Sequence, residues 1–180
     1  MTLTTARSLA ARVAETACVS DRFILPDGRV LDSYFDEYRL AADPRLLRDV
    51  ADAMAALVPE DAEVLAGIEL GGVPLVVALS AATGLPTAFV RRLPKRYGSA
   101  RQVEGADVEG RRVVLVDDVV RSGGQLLAMT RILRIAGAPV SDGLCVLERP
   151  CGGRLLLHGH GVTLRPLLTE ADLPSGGAAP

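Results

Sequence analysis

The 180-residue chain has few aromatic residues: three Tyr, three Phe and no Trp. That leaves little material for a base-stacking platform, and a net charge of −2 argues against a general nucleic-acid binder. Its three cysteines, Cys18, Cys145 and Cys151, are an odd and scattered set and make no disulfide framework. Cys145 stands in an apolar run and reads as core. No apolar run approaches the ~20 residues that span a bilayer, so no membrane partner is expected. The opening stretch MTLTTARSLAARVAETA carries Arg7, Arg12 and Glu15 and lacks the apolar core of a signal peptide. It reads as a short helix that stays in place, in a cytoplasmic protein. His158 and His160 form an HGH segment with no Cys or acidic ligand at zinc-like spacing, so no protein-built metal site is expected.

What is present is an ordinary globular composition, 49% hydrophobic and 23% charged, in a chain long enough for one sizeable core. Residues 3–17 have helical amphipathicity. Asp43-Pro44 combines an N-cap with a proline at the first helical position, and Leu46, Leu47, Val50, Met54 and Leu57 follow at helical spacing up to Pro59. Val64–Glu69 is a short apolar run ending at Gly71-Gly72, with a helix over Val73–Ala82 that Gly84 stops. Ala88–Val90 reads as a strand leading into the cationic stretch Arg91–Arg101. Arg112–Val119 is the clearest buried strand, followed by a helix over Leu126–Ala136, closed by Gly137. Val140–Leu147 and Val162–Leu168 are further strands. Strands alternating with helices of about ten residues predict an α/β fold, a mostly parallel sheet flanked by helices. One domain is expected over residues 1–173, with 174–180 a disordered tail. Ligands of such sheets bind beyond the carboxyl ends of the strands.

One strand end stands out. After VVLV come Asp117, Asp118, Val119, Val120, Arg121, Ser122, Gly123, Gly124 and Gln125, and then a helix. A Gly-rich turn at a helix N-terminus offers backbone N–H groups and the positive end of the dipole to a phosphate. Adjacent carboxylates repel each other, and make sense if they accept hydrogen bonds from sugar hydroxyls. The segment is neither GxxxxGK[ST] nor GxGxxG, which excludes a P-loop and a dinucleotide fingerprint.

VVLVDDVVRSGGQ resembles the phosphoribosyl pyrophosphate (PRPP) signature of type I phosphoribosyltransferases. GRVLDSYFDEYRL, VLAGIELGGVP, AFVRRLPKRYG, CVLER and LLTEADL, in this order, are similar to the orotate branch of that family. The resemblance implies a small N-terminal hood over the sheet and transfer of 5-phosphoribosyl from PRPP to orotate, giving orotidine 5′-phosphate and pyrophosphate. It implies that Asp117 and Asp118 bind the ribose hydroxyls and that Val119, Val120 and the loop Arg121–Gln125 wrap the 5′-phosphate. Arg91, Arg92, Lys95 and Tyr97 would hold the pyrophosphate from a loop shared across a homodimer, with Lys95 and Asp118 in catalytic roles. Magnesium would be held mainly by PRPP and water. Tyr34, Phe35, Arg121 and Arg149 would surround the base, Arg149 bonding the orotate carboxylate.

Two departures bear on the acceptor. Arg121 stands where the family loop usually has Thr, and Pro26-Asp27 replace a Lys often found before Gly-Arg. Two alternatives therefore stand beside orotate transfer: a PRPP-dependent transferase acting on another base, and a non-catalytic PRPP-sensing regulator.

Overall fold

A computed structural model of the chain describes residues 8–24, 30–94 and 101–174. Pro26, Asp27, Lys95, Tyr97 and the tail from 175 onward lie outside the described residues.

Helix α1 (Leu9–Ala17) starts at Ser8, whose hydroxyl accepts from the Ala11 N–H. It runs into a two-stranded antiparallel hairpin, β1 (Cys18–Ile24) and β2 (Val30–Phe35), in which Val19 pairs with Tyr34 and Cys18 with Phe35. Asp36 then caps the short helix α2 (Glu37–Ala42), and Asp43 caps α3 (Pro44–Ala55) with its carboxylate on the Arg45 and Leu46 N–H groups. The hairpin and α2 were not among the elements expected from periodicity. The helix expected from Pro44 up to Pro59 starts there and ends at Ala55, with Leu57 in a closing turn on Met54.

The rest runs β3 (Val64–Ile68), α4 (Gly72–Thr83), β4 (Thr87–Val90), β5 (Val103–Gly105), β6 (Val113–Val120), α5 (Gly124–Ile135), β7 (Asp142–Glu148), α6 (Gly153–His158) and β8 (Thr163–Thr169), and all but β5 and α6 were expected from the sequence. A 3-10 turn, Glu170–Asp172, follows β8. The strand order is β5-β4-β3-β6-β7-β8, parallel throughout except for β5 against β4. The sheet is therefore mostly parallel with helices on both faces, in a single domain, as the alternation of elements implied.

Period-two alternation divides the buried side chains between those faces. Val64, Ala66, Val113 and Leu115 pack with Leu126, Leu133 and Leu157 of α5 and α6. Leu65, Val114, Val116 and Leu144 pack with Val13, Phe35, Leu46, Met54 and Leu79 from the hairpin and from α1, α3 and α4. Strands buried on both sides read as continuous apolar runs, which is why β3, β6 and β7 were visible in the sequence. The parallel order sends the ends of β3, β6 and β7 to one rim, and the hairpin and α2 sit on that side.

Candidate active site

Strand β6 carries its apolar run as far as Val116 and then places Asp117 and Asp118 at the rim, both buried. The Asp118 N–H donates to the Asp117 carboxylate at 3.1 Å. Burial pushes the Asp117 carboxyl well above the usual carboxylate range, and the neighbouring charge of Asp118 pushes it further in the same direction. The pair is thus electrostatically unsatisfied and suited to hydroxyl donors or a cationic centre.

Beyond Val120 the chain turns through Arg121 and Ser122 into Gly123, whose φ of +75° is left-handed, and enters α5 at Gly124. No side chain caps this helix, and its first internal bond is Leu127 N–H to Gly123 O at 2.9 Å. The N–H groups of Gly124, Gln125 and Leu126 precede it at the positive end of a 12-residue helix, an arrangement that binds anions. The turn is backed by the start of α6: the Gly153 N–H donates to Arg121 O at 3.0 Å, and a Cβ on Gly153 would stand 2.4 Å from that oxygen.

The acidic pair opens into a cavity of about 410 Å3 lined by Tyr34 and Glu37 from the hairpin side, Glu69–Gly71 after β3, Arg92 after β4, and Gln125 of α5. Gly71 is the point of closest approach. A Cβ there would meet the Asp118 Cγ and Oδ1 at 2.9 Å and the Glu37 Cγ at 3.0 Å. Across the cavity the Tyr34 hydroxyl donates to Glu37 at 3.2 Å. Burial and then the Glu37 charge push the Tyr34 phenol up to about 12, so it remains a donor at any working pH. Burial also raises Glu37, with Asp118 adding to the effect. Arg92 spans the mouth: its Nη2 donates to Gln125 Oε1 at 2.8 Å and its backbone N–H to Glu69 at 3.2 Å. A larger recess of about 610 Å3, beside β5 and the far end of α5, includes Asp107, Ile132 and Ile135 but none of these groups.

Of the residues singled out in the sequence, Tyr34, Arg92, Asp117, Asp118, Val119 and Gln125 line this cavity, and Val120–Gly124 form the adjoining turn. Three others sit elsewhere. Phe35 turns to the opposite side of β2 from Tyr34 and is 1% exposed in the core, so it offers no face to a ligand here. Arg91 alternates away from Arg92 and pairs with Glu104 at 3.7 Å. Arg149 lies beyond β7, buried and ion-paired with Glu170 at 2.5 Å. Among the described residues, the Arg121 guanidinium has no hydrogen-bond partner. Lys95 and Tyr97 lie outside the described residues. Sequence reasoning missed Glu37 and Tyr38, because DEYR reads as a solvated helix start until the hairpin folds it over the rim.

A model of the phosphoribosyl transferase domain matches residues 38–156. Orotate phosphoribosyltransferase of Nocardioides sp. is 41% identical over 172 residues, 96% of each chain. That of Methanopyrus kandleri is 42% identical over 151 residues, covering 84% of this chain and 81% of its own. The crystal structure of Mycobacterium tuberculosis orotate phosphoribosyltransferase in complex with PRPP has a TM-score of 0.77 at 27% identity, covering 91% of this chain and 95% of that one.

Proposed function

The chain belongs to the orotate phosphoribosyltransferase family, and from that premise we propose that it transfers the 5-phosphoribosyl group of PRPP to orotate. The observation that carries the reading is the buried pair Asp117-Asp118 beside the uncapped start of α5, facing one cavity with Tyr34 and Arg92. The products would be orotidine 5′-phosphate and pyrophosphate.

In this reading Asp117 and Asp118 accept hydrogen bonds from the ribose hydroxyls, and the N–H groups that open α5 hold the 5′-phosphate. The bond from C1 to pyrophosphate breaks and the bond from C1 to the base nitrogen forms. The departing pyrophosphate gathers negative charge, which Arg92 and, from the segment after it, Lys95 and Tyr97 would hold. Asp118 lies against the sugar as it becomes cation-like. Tyr34 presents its ring to the base, and Arg149 is the guanidinium for the acceptor carboxylate. Magnesium, when bound, supplies further charge neutralisation on the leaving group. Asp117, Asp118, Glu37 and Glu69 give the cavity hard oxygen donors that suit this ion, but among the described residues no three acidic, His or Cys side chains form a cage. Its ligands would therefore be mainly PRPP oxygens and water.

The working form would be a homodimer. Helix α4, GVPLVVALSAAT, is apolar nearly all round, yet Val77 is 52% exposed; Leu70 just before the helix (56%) and Leu93 after β4 (73%) are exposed as well. A second copy would cover these apolar side chains. Among the described residues no helix is long and apolar enough to cross a membrane.

Incubation with magnesium, PRPP and orotate should consume the orotate absorbance and release pyrophosphate stoichiometrically. PRPP binding without any loss of orotate would reject the transfer reading.

A further inference from the structure

Strands β7 and β8 run parallel with Glu148 opposite Thr169, so the residues that follow each leave the sheet side by side. On one side that residue is Arg149, with its side chain 10% exposed; on the other it is Glu170, 44% exposed. The Glu170 carboxylate accepts from Arg149 Nη1 at 2.5 Å. The turn that carries Glu170 is pinned: the Asp172 carboxylate accepts from both the N–H and the hydroxyl of Thr169 at 2.7 Å. Arg149 is itself anchored by its backbone N–H to Val120 O at 2.8 Å, which ties it to the phosphate turn. A buried guanidinium thus meets an internal carboxylate held on the water side of it.

We propose that Glu170 is an internal counter-ion that stands in for the acceptor's carboxylate on Arg149 and sets how strongly the site selects a carboxylate-bearing base. The proposal rests on the orotate reading above. A buried guanidinium without a counter-charge is costly, and Glu170 meets that need while no acceptor is bound. Because Glu170 is half exposed, it can turn into water when another carboxylate arrives, so that one anion replaces another at the Arg149 Nη1. A base without a carboxylate has nothing to exchange and leaves the ion pair closed. Glu170 is accordingly a positioning and competing residue, with no contact to the reacting atoms.

The test is steady-state kinetics of Glu170→Gln against wild type, with saturating PRPP and magnesium, using orotate and, separately, uracil. The KM for orotate should fall about tenfold, matching ~1.4 kcal/mol of lost competition. The kcat and the KM for PRPP should stay within about twofold, and the rate with uracil should not change, so discrimination between the two bases widens. A purely structural role would move all of these together. If Glu170→Gln does not give a cooperative melt, Glu170→Asp keeps the charge but withdraws it by one methylene, and its KM for orotate should fall by a smaller factor. An orotate KM that is unchanged or higher in the folded variant overturns the proposal. Failure of the underlying reading is distinct: wild type itself would then consume no orotate.

Discussion

Gly71 is where the geometry makes its most specific demand. Its φ of −61° and ψ of −34° are helical, so alanine is free of backbone strain there. The added methyl would nevertheless stand 2.9 Å from the Asp118 carboxylate and 3.0 Å from Glu37, against 3.4 Å for ordinary contact. Both side chains must retreat by about half an ångström. Crowding of this size costs about 1–3 kcal/mol, and loss of the flexible glycine from the unfolded chain returns about 0.4–1 kcal/mol. The net loss of stability for Gly71→Ala should therefore be modest, about 0–2.6 kcal/mol. Activity should suffer more. A misplacement of about 1 Å costs on the order of 10²-fold, so half that shift at the carboxylate proposed to bind the ribose should lower kcat/KM for PRPP roughly tenfold. Thermal melts beside PRPP titrations separate the two effects. Gly72→Ala is the contrast: its Cβ would stand 2.5 Å from the Val116 carbonyl, backbone that cannot retreat, so folding should fail before binding does. A well-folded Gly71→Ala protein with wild-type kcat/KM for PRPP would refute the placement of Asp118 against the ribose.

Two further outcomes follow from the charges around that cavity. Burial raises the Asp117 carboxyl, so the native state keeps a proton that the unfolded chain releases. That contribution is fully present below the unfolded value of ~3.9 and is lost as pH rises through the folded value. Asp117→Asn should raise the melting temperature of the unliganded protein at pH 8, with the gain vanishing toward pH 3, while weakening PRPP binding; a gain independent of pH would contradict it. Arg121→Thr should change stability by less than ~0.5 kcal/mol, since the guanidinium has no hydrogen-bond partner among the described residues. It should shift preference between orotate and more anionic bases in a pyrophosphate-release panel, and an unchanged ranking would remove Arg121 as a selector.

The parts legible in the sequence were those where one physical signal dominated. β3, β6 and β7 are buried on both faces, and so read as unbroken apolar runs; the glycines at 71–72 and 123–124 marked the turns beyond two of them. The hairpin β1–β2 was not legible because CVSDRFI and VLDSYF mix polar and apolar residues without a clean period. β5 has three residues on a sheet edge, and α6 is a six-residue helix that showed only as a Leu run. At the site, Asp117 and Asp118 were visible because two carboxylates after a buried strand need a reason. Tyr34 and Phe35 looked equivalent as neighbouring aromatics, and only the strand's alternation separates a cavity wall from a core ring. The pairing of Arg149 with Glu170 had no local signal at all, because parallel strands bring together residues distant in the chain.

The close fit of Gly153 beneath the turn that opens α5 links two segments that look independent. Gly123 and Gly153 are thirty residues apart, after different strands, yet a Cβ on Gly123 would lie 2.9 Å from the Gly153 carbonyl. The shape of the cradle is therefore inherited from the path of the chain after β7. Cys151-Gly152-Gly153 therefore belongs to the footprint of the proposed phosphate site although no atom of it need touch the ligand. An insertion in that connection should therefore act on ligand affinity as though it had been made in the turn itself.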